Sequence, residues 1–127
     1  FAFAGYSLNS SGELEFSWII NTDNTGNELS SIILTGGCYI YDFFENIDGN
    51  YIVAGKKLVG DVFHGWISCI DFQGNQIWEH TYGNEESAEF QSVKQTTDGG
   101  YILTGENQLN GTTSILHVKT DPNGNIN

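Results

Sequence analysis

The sequence has little positive charge. Its 127 residues include four lysines and no arginine against 16 acidic residues, which gives a formal net charge of −12. A nucleic-acid partner needs clustered Lys and Arg to displace counterions from phosphates, and an anionic membrane surface attracts the same clusters. The sequence therefore predicts no nucleic-acid partner and no binding to an anionic membrane.

Methionine, proline and long apolar runs are also scarce. The chain has no Met and one Pro, and no apolar run approaches the roughly 20 residues of a membrane span, so we expect no membrane insertion. It begins Phe-Ala-Phe-Ala in mid-pattern, and we expect a processed or partial product. What the chain does have is glycine, 16 residues in all, and 13% aromatic residues. This glycine share is about twice the usual value of roughly 7% and favours β-structure with tight turns.

The strongest signal is an internal repeat with two landmarks. The first landmark, Asp-Gly-x-Tyr-Ile-x-x-Gly, has copies at residues 48–55, 98–105 and, in part, 1–5. The second, Asp-x-x-Gly-Asn, has copies at residues 23–27, 71–75 and 121–125. Two landmarks that recur in fixed order predict a structural unit of about 50 residues.

Each unit is predicted to contain four short strands. In the second unit the predicted strands are residues 41–47, 51–58, 66–70 and 76–82. Their equivalents elsewhere are residues 18–22, 90–97, 101–107 and 116–120. Strict alternation places Trp18, Trp66 and Leu116 on one face, where a large apolar residue is expected to pack in a core.

Two kinds of turn connect these strands. Asp48-Gly49 and Asp98-Gly99 form the first kind, in which Asp at the first position accepts a backbone hydrogen bond and Gly takes a positive φ. The second kind begins at Asp71 and Asp121 and places Gly74 and Gly124 at the left-handed position. These eight residues are predicted to be structural turn residues.

Four antiparallel strands in about 50 residues are typical of a β-propeller blade, so the predicted fold class is all-β. Naming the blade strands A to D from the axis outward, residues 1–40 supply strands B, C and D of a first blade. Residues 41–83 form a complete second blade, and residues 84–127 supply strands A, B and C of a third. About two and a half blades cannot close a propeller, which takes about four to eight. The chain is therefore expected to be part of a larger protein, completed by its remaining blades or by other protein chains.

The same residues resemble a known family. The third unit, with residues 98–105 and Val-Lys-Thr-Asp-Pro-Asn-Gly-Asn at 118–125, is similar to the propeller-type repeats of large secreted or cell-surface bacterial proteins of the Bacteroidetes type. Ile-Trp-Glu-His-Thr-Tyr-Gly at 77–83 resembles the second box of those repeats, although Ser30 replaces its Trp in the first unit. The resemblance implies a propeller fold and a secreted or cell-surface location. It says little about activity, because the motif residues belong to turns and core.

The candidate ligand-binding residues lie in two connections that share one face of a propeller. Residues 56–65 are predicted to be the longest B–C connection and carry Asp61, Phe63 and His64. The acidic connection between the second and third blades carries Glu85, Glu86 and Glu89. Loops at a rigid rim often bind ligands, here a cation or a sugar. The alternative is a solvated acidic loop and an aromatic ring packed under its own loop.

The sequence gives no strong metal site, and no cofactor is expected. The Asp-x-x-Gly-Asn loops could offer oxygen ligands to Ca²⁺, but a type I turn followed by a Gly bulge also explains them. The three histidines, His64, His80 and His117, lack metal-site spacing. Cys38 and Cys69 could form one disulfide in an exported protein or remain two free thiols.

No catalytic arrangement can be assembled from these residues, so the chain is not expected to be an enzyme. The leading hypothesis is a non-catalytic module that binds protein or glycan, or serves as an extracellular scaffold. One alternative is a structural subunit, or a secreted passenger held in a larger assembly or export machinery. Another is part of a propeller enzyme whose active site lies mainly outside this segment.

Overall fold

A computed structural model describes residues 1–83 and 86–126 of the chain. These residues form ten β-strands and no helix: β1 (Ala2–Leu8), β2 (Leu14–Thr22), β3 (Glu28–Leu34), β4 (Cys38–Glu45), β5 (Tyr51–Val59), β6 (Val62–Ile70), β7 (Gln76–Tyr82), β8 (Ala88–Gln95), β9 (Tyr101–Leu109) and β10 (Thr112–Thr120). All neighbouring strands are antiparallel. The all-β prediction is therefore confirmed.

The strands form three open sheets whose order follows the chain. Sheet 1 contains β1–β3, sheet 2 contains β4–β7, and sheet 3 contains β8–β10. Because successive strands are antiparallel, all connections lie at one of two ends of the sheets. In the described part of the chain, no helix has the length and apolar character needed to cross a membrane.

The predicted strands agree with the structure best where their alternation is regular. Strand β7 has the predicted bounds, Gln76–Tyr82. Strand β4 instead begins at Cys38, three residues before the predicted start of the second unit, and β8 begins at Ala88 rather than at residue 90. Both strands contain a bulge, at Tyr41 and at Gln91. A bulge shifts the alternation of inward-facing and outward-facing residues by one position. The residues before the bulge therefore do not continue the pattern of those after it, and the sequence does not show that they belong to the same strand.

The prediction of a long connection at residues 56–65 is wrong. Strand β5 continues to Val59 and β6 starts at Val62, so the connection is the two-residue turn Gly60-Asp61. Gly60 takes a φ of 64°, as a tight hairpin requires. The apolar residues on both sides of this turn extend the hairpin ribbon instead of forming a loop.

Five turns of one kind lie at the same end of the sheets, which we call the turn rim: residues 23–27, 46–50, 71–75, 96–100 and 121–125. In each, the first N–H donates to the fifth carbonyl, as Asp71 does to Asn75 at 2.9 Å. The Asp71 carboxylate accepts the N–H groups of Gln73 and Asn75 at 2.9 and 2.8 Å. These bonds lower the pKa of Asp71.

The Asp-Gly pairs occupy a later place in this turn than expected. Asn46, not Asp48, is the first residue of its turn, and its side-chain oxygen accepts the N–H groups of Asp48 and Asn50, both at 3.0 Å. In the third unit Thr96 takes the first place, and Asp98 accepts the N–H of Gly100 at 3.0 Å. Gly49 and Gly99 still take the positive φ, 81° and 85°.

Sheet 2 is covered on both faces because its apolar residues run without interruption. Val53 and Trp66 face sheet 1, whereas Ile52 and Ile67 face sheet 3. The first core, between sheets 1 and 2, contains Ile19, Ile32, Cys38, Ile40, Tyr51, Val53, Trp66 and Ile70. The second core, between sheets 2 and 3, contains Ile52, Ala54, Ile67, Cys69, Phe90, Val93, Tyr101 and Leu103. Each fully buried Ile contributes about 1.5–3 kcal/mol to stability.

The two cysteines are free and buried, so the suggested Cys38–Cys69 disulfide does not form. Cys38 belongs to the first core and Cys69 to the second. The two thiols therefore lie on opposite faces of sheet 2, where no single S–S bond can join them. Burial raises the pKa of both thiols.

Candidate functional site

The candidate binding residues lie at the end of the sheets opposite the turn rim, which we call the loop rim. Phe63 and Glu89 come close together there, at the starts of β6 and β8. Asp61 lies exposed on the β5–β6 turn. His64 packs under the backbone of Gly83, where an added Cβ would lie 2.9 Å from the imidazole. Glu85 lies outside the described residues.

Phe63 and Glu89 meet at Lys56, which sequence reasoning did not single out. The Lys56 Nζ atom lies 4.6 Å from the ring centre of Phe63, 5.1 Å from that of Tyr39 and 5.7 Å from that of Tyr41. An oxygen of Glu89 lies 3.5 Å away. These five residues form what we call the lysine cluster. Aromatic faces attract a cation at these distances, so the rings and Glu89 hold the ammonium group together.

The electrostatics of the lysine cluster favour a charged ammonium. Partial burial acts against the charge of Lys56, but hydrogen bonding with Tyr41 and the charge of Glu89 outweigh it, and the pKa of Lys56 is raised. Burial also raises the pKa of the Tyr41 hydroxyl. Lys56 therefore stays protonated at neutral pH and is neutralised locally by Glu89.

Strand pairing explains why these side chains meet. Tyr39 is the direct partner of Lys56 across β4 and β5, and the bulge at Tyr41 keeps a second tyrosine near the same place. Lys56 also pairs with Gly65 on β6, and Gly65 leaves room for the buried ring of Phe90. Tyr6 of β1 packs edge-on against Tyr39 with ring centres 4.9 Å apart. The cluster thus joins sheets 2 and 3, and its contact with Tyr6 links it to sheet 1.

A cavity of about 130 Å³ lies beside the lysine cluster, between sheets 2 and 3. Its lining residues are Lys56, Phe63, Ser87, Ala88, Glu89, Glu106, Asn107 and Gln108. The side-chain oxygen of Asn107, one of these lining residues, is buried without a hydrogen-bond partner among the described residues. Buried polar atoms normally have a partner, so this oxygen is an acceptor left unsatisfied in the described part of the chain.

Glu86 has a structural task at this rim. Its carboxylate accepts the N–H groups of Asn110 and Gly111, at 2.8 and 3.3 Å, and so fixes the β9–β10 turn. The neighbouring Ser87 carbonyl accepts the N–H of Gln108 at 2.8 Å. The part of the acidic connection that the structure describes is therefore bound to sheet 3, which gives the cavity a fixed wall.

Other residues considered for metal binding do not come together. Among residues 1–83 and 86–126, no group of three or more His, Cys, Asp or Glu side chains could hold a metal ion. His80 Nε2 lies 2.9 Å from the Asn123 carbonyl oxygen, and His117 is exposed on β10. The oxygens of Asp23 and Asp121 already accept backbone N–H groups of their own turns.

A second cleft, of about 310 Å³, opens at the turn rim between sheets 2 and 3. Its lining includes Trp78, Tyr101, Cys69 and Pro122. The sequence had assigned these residues to turns and core, and both rings contribute to the second core. We therefore regard this cleft as the margin of that core.

The missed site residues share one signal in the sequence: they differ in chemistry between repeats. Tyr39 corresponds to Glu89, and Lys56 corresponds to Glu106, each at an offset of fifty residues. Some turn and core positions, such as Tyr51 and Gly74, keep the same residue fifty positions later, whereas these positions change.

No protein-family model matches the chain, and no curated protein matches it.

Proposed function

We propose that this chain is a β-propeller-type repeat module of a secreted or cell-surface protein, and that it binds a ligand without catalysis at its loop rim. The three sheets support the propeller assignment because they follow chain order and stack face to face at a repeat of about 50 residues. The observation that carries the binding function is the cavity beside the lysine cluster. Phe63 of β6 and Glu89 of β8, which belong to different sheets, both line it.

The chemistry of this cavity favours a neutral sugar at the end of a glycan. The ring of Phe63 offers an apolar surface for the C–H face of a sugar, and the Asn107 amide is a polar group of the lining that suits a sugar hydroxyl. Glu89 neutralises Lys56, and Glu106 adds a further carboxylate. With a chain charge of −12, this arrangement repels acidic sugars and phosphate groups.

A glycan array followed by calorimetric titration tests the proposal. The protein is expected to retain neutral glycans, and Phe63→Ala is expected to weaken the best of them at least about tenfold, or about 1.4 kcal/mol. Phe72→Ala is the matched control, because Phe72 is 67% exposed and lies on the turn rim. Its affinity should equal that of the unchanged protein.

Two results would overturn this function. One is the absence of binding to any neutral glycan on the array. The other is equal affinity of Phe63→Ala and the unchanged protein, which would place the sugar elsewhere. Thermal melting of both variants shows that the comparison is made on folded protein.

A structural role in a larger assembly is the second candidate, and the outer face of sheet 1 favours it. Phe3 and Ile33 are 54% and 60% exposed there, and Trp18 lines the same shallow groove as Ile33. Trp18 corresponds to Trp66, whose face is covered by sheet 1. In an assembly, another sheet of this kind would cover Trp18. Sedimentation over a range of protein concentrations measures that association, and Ile33→Ser should weaken it.

A further inference from the structure

Strand β1 differs from its counterparts in the other two sheets by having a free edge. In sheet 2, β5 lies between β4 and β6, and in sheet 3, β9 lies between β8 and β10. In sheet 1, β1 pairs with β2, and no described residue pairs with its other edge. The backbone N–H and C=O groups on that edge are therefore available to another strand.

A glycine marks the same position on all three strands. Gly55 and Gly105 pair with the residue just before the bulge, Ile40 on β4 and Phe90 on β8. A Cβ at position 55 or 105 would lie 1.9 Å from a backbone carbonyl oxygen of the inner strand. Since backbone cannot move aside as a side chain can, the bulged inner strand requires glycine at both positions.

Gly5 is the repeat equivalent of Gly55, yet no strand of the described residues lies beside it on that edge. The atoms nearest to a Cβ at position 5 belong to the ring of Trp18, at 2.7 Å. Trp18 is a half-buried side chain on the outer face, and it can shift more easily than a carbonyl group. Strand β1 therefore keeps the glycine that the inner strand requires at Gly55 and Gly105, although no described inner strand lies beside Gly5.

We propose that the free edge of β1 binds an extended polypeptide strand of the kind formed by β4 and β8. The bound strand runs antiparallel to β1 and carries its bulge opposite Gly5. Main-chain hydrogen bonds supply the affinity, and side chains on alternate positions supply the specificity. This inference rests on the three sheets and does not depend on the proposed glycan site.

The register of β4 and β8 defines the chemistry of the bound strand. An apolar residue faces the glycine, as Ile40 and Phe90 do, and the unpaired bulge residue follows. After the bulge come a small polar residue and a second apolar residue, which are Ser92 and Val93 in β8. Phe90 and Val93 belong to one core, so equivalent residues on a bound strand would extend the apolar outer face of sheet 1.

A synthetic peptide with the sequence of residues 88–95 is the probe. Hydrogen exchange by NMR is expected to show saturable protection of the β1 amides that point away from β2. Gly5→Ala should weaken the peptide at least about tenfold, because its Cβ would meet a carbonyl oxygen of the bound strand. Ser7→Ala, on the same strand, is the matched control and should bind as the unchanged protein does.

Gly5→Ala could weaken peptide binding by displacing the ring of Trp18, and a second experiment tests for this. Residues 88–100 are copied in front of Phe1, so that the turn of residues 96–100 leads the added strand back onto β1. This extension should raise the melting temperature of the protein with Gly5 and leave that of the Gly5→Ala protein unchanged. Tryptophan fluorescence before extension reports any shift of Trp18 itself.

Three results would overturn the proposal. Peptide binding without protection of β1 would place the peptide elsewhere, and equal binding to Gly5→Ala would remove the role of the glycine. The third is a dimer in sedimentation that excess peptide does not dissociate, which would make a second copy the occupant of this edge. None of these outcomes bears on the glycan experiment, because its residues lie outside β1.

Discussion

The two contacts between neighbouring sheets repeat the same backbone arrangement with different side chains. In each contact, a five-residue turn of one sheet lies on the last strand of the sheet before it. In the first contact, the turn at residues 71–75 meets Ile32 of β3, 3.4 Å from where a Cβ of Gly74 would lie. In the second, the turn at residues 121–125 accepts a hydrogen bond from Tyr82, and its Asn123 carbonyl lies 2.9 Å from His80 Nε2.

The two cores also differ in the side chains that pack in them. Each core buries two aromatic residues, Tyr51 and Trp66 in the first and Phe90 and Tyr101 in the second, but one partly buried aromatic ring packs against the first core and three pack against the second. Trp78 and Tyr82 extend that aromatic packing, with Tyr82 edge-on to Phe90 at 5.6 Å between ring centres. Paired aromatic rings contribute about 0.5–1.5 kcal/mol beyond their buried area. A repeat thus conserves its backbone contacts while each contact acquires its own strength.

The largest expected effect comes from truncating the equivalent core residues Phe90 and Ile40. Phe90→Ala should lower the free energy of unfolding by about 4 kcal/mol and Ile40→Ala by about 3 kcal/mol, because a larger ring leaves a larger cavity. Urea unfolding followed by circular dichroism measures both losses. A larger loss for Ile40→Ala would reverse the ranking of the two contacts.

The next effect separates the three equivalent turn glycines. Gly26, Gly74 and Gly124 have φ angles of 90°, 92° and 82°, so replacement by Ala strains each by about 1 kcal/mol. At Gly124 the added Cβ would also lie 2.6 Å from Trp78 and from His80, which should raise the loss to about 2–3 kcal/mol. Gly26, whose Cβ position has no atom of the described residues within 4 Å, is the control for strain alone. Equal losses at all three positions would show that the aromatic contact adds nothing.

A smaller effect concerns the hydroxyl of Tyr82. Tyr82→Phe removes its hydrogen bond to the Gly124 carbonyl and should cost about 1 kcal/mol at neutral pH. Burial, together with the charge of Asp121, raises the pKa of Tyr82 from 10.0 to about 12. Its contribution is complete below the unfolded value and is lost as pH rises through the folded value. Melting temperatures at rising alkaline pH should therefore fall less steeply in Tyr82→Phe, with the exposed Tyr6→Phe as control.

The smallest effect lies in the ion pairs. Lys57 and Glu79 are 2.7 Å apart on the first-core face of sheet 2, and Trp66 also donates to Glu79 at 2.9 Å. Because these side chains are partly exposed, Glu79→Gln should cost no more than about 1 kcal/mol. Lys119→Met, which breaks the pair with the 61% exposed Asp98, should have no measurable effect. A larger loss for Lys119→Met would contradict this ranking.

The carboxyl group of Glu79 also makes the stability of the protein depend on pH in the acid range. Burial acts against the charge of Glu79, but the hydrogen bonds from Lys57 and Trp66 outweigh it, so its pKa is lowered. The stability it contributes is present above the ordinary carboxyl pKa and is lost as pH falls through the lowered value. Thermal melts across the acid range should show a steeper loss in the unchanged protein than in Glu79→Gln.

Sequence reasoning predicted those parts of the fold that local patterns specify. The alternation around Trp66 predicted its burial, and the strand Gln76–Tyr82 has the predicted bounds. The bulges at Tyr41 and Gln91 could not be predicted, because they reverse the alternation only when a partner strand is present. The prediction of a loop at residues 56–65 fails because a two-residue turn at Gly60 leaves little local signal in the sequence.

The candidate site was less predictable because its members come from separate strands. Phe63 and Glu89 were named from their connections, but Lys56 and Asn107 have no motif of their own. Their importance depends on pairing across β4, β5 and β9, which a single sequence does not reveal. Glu86 is named from the acidic connection, whereas its hydrogen bonds to the β9–β10 turn depend on the folded backbone.

The burial of sheet 2 on both faces also sets an order for folding during protein synthesis. Sheet 1 leaves the ribosome first and can cover the Trp66 face as soon as sheet 2 forms. The opposite face, with Ile52 and Ile67, stays open until β8–β10 have been made. At about 5–20 residues per second, this gap lasts a few seconds. During that time the nascent chain exposes the apolar surface that a chaperone would bind.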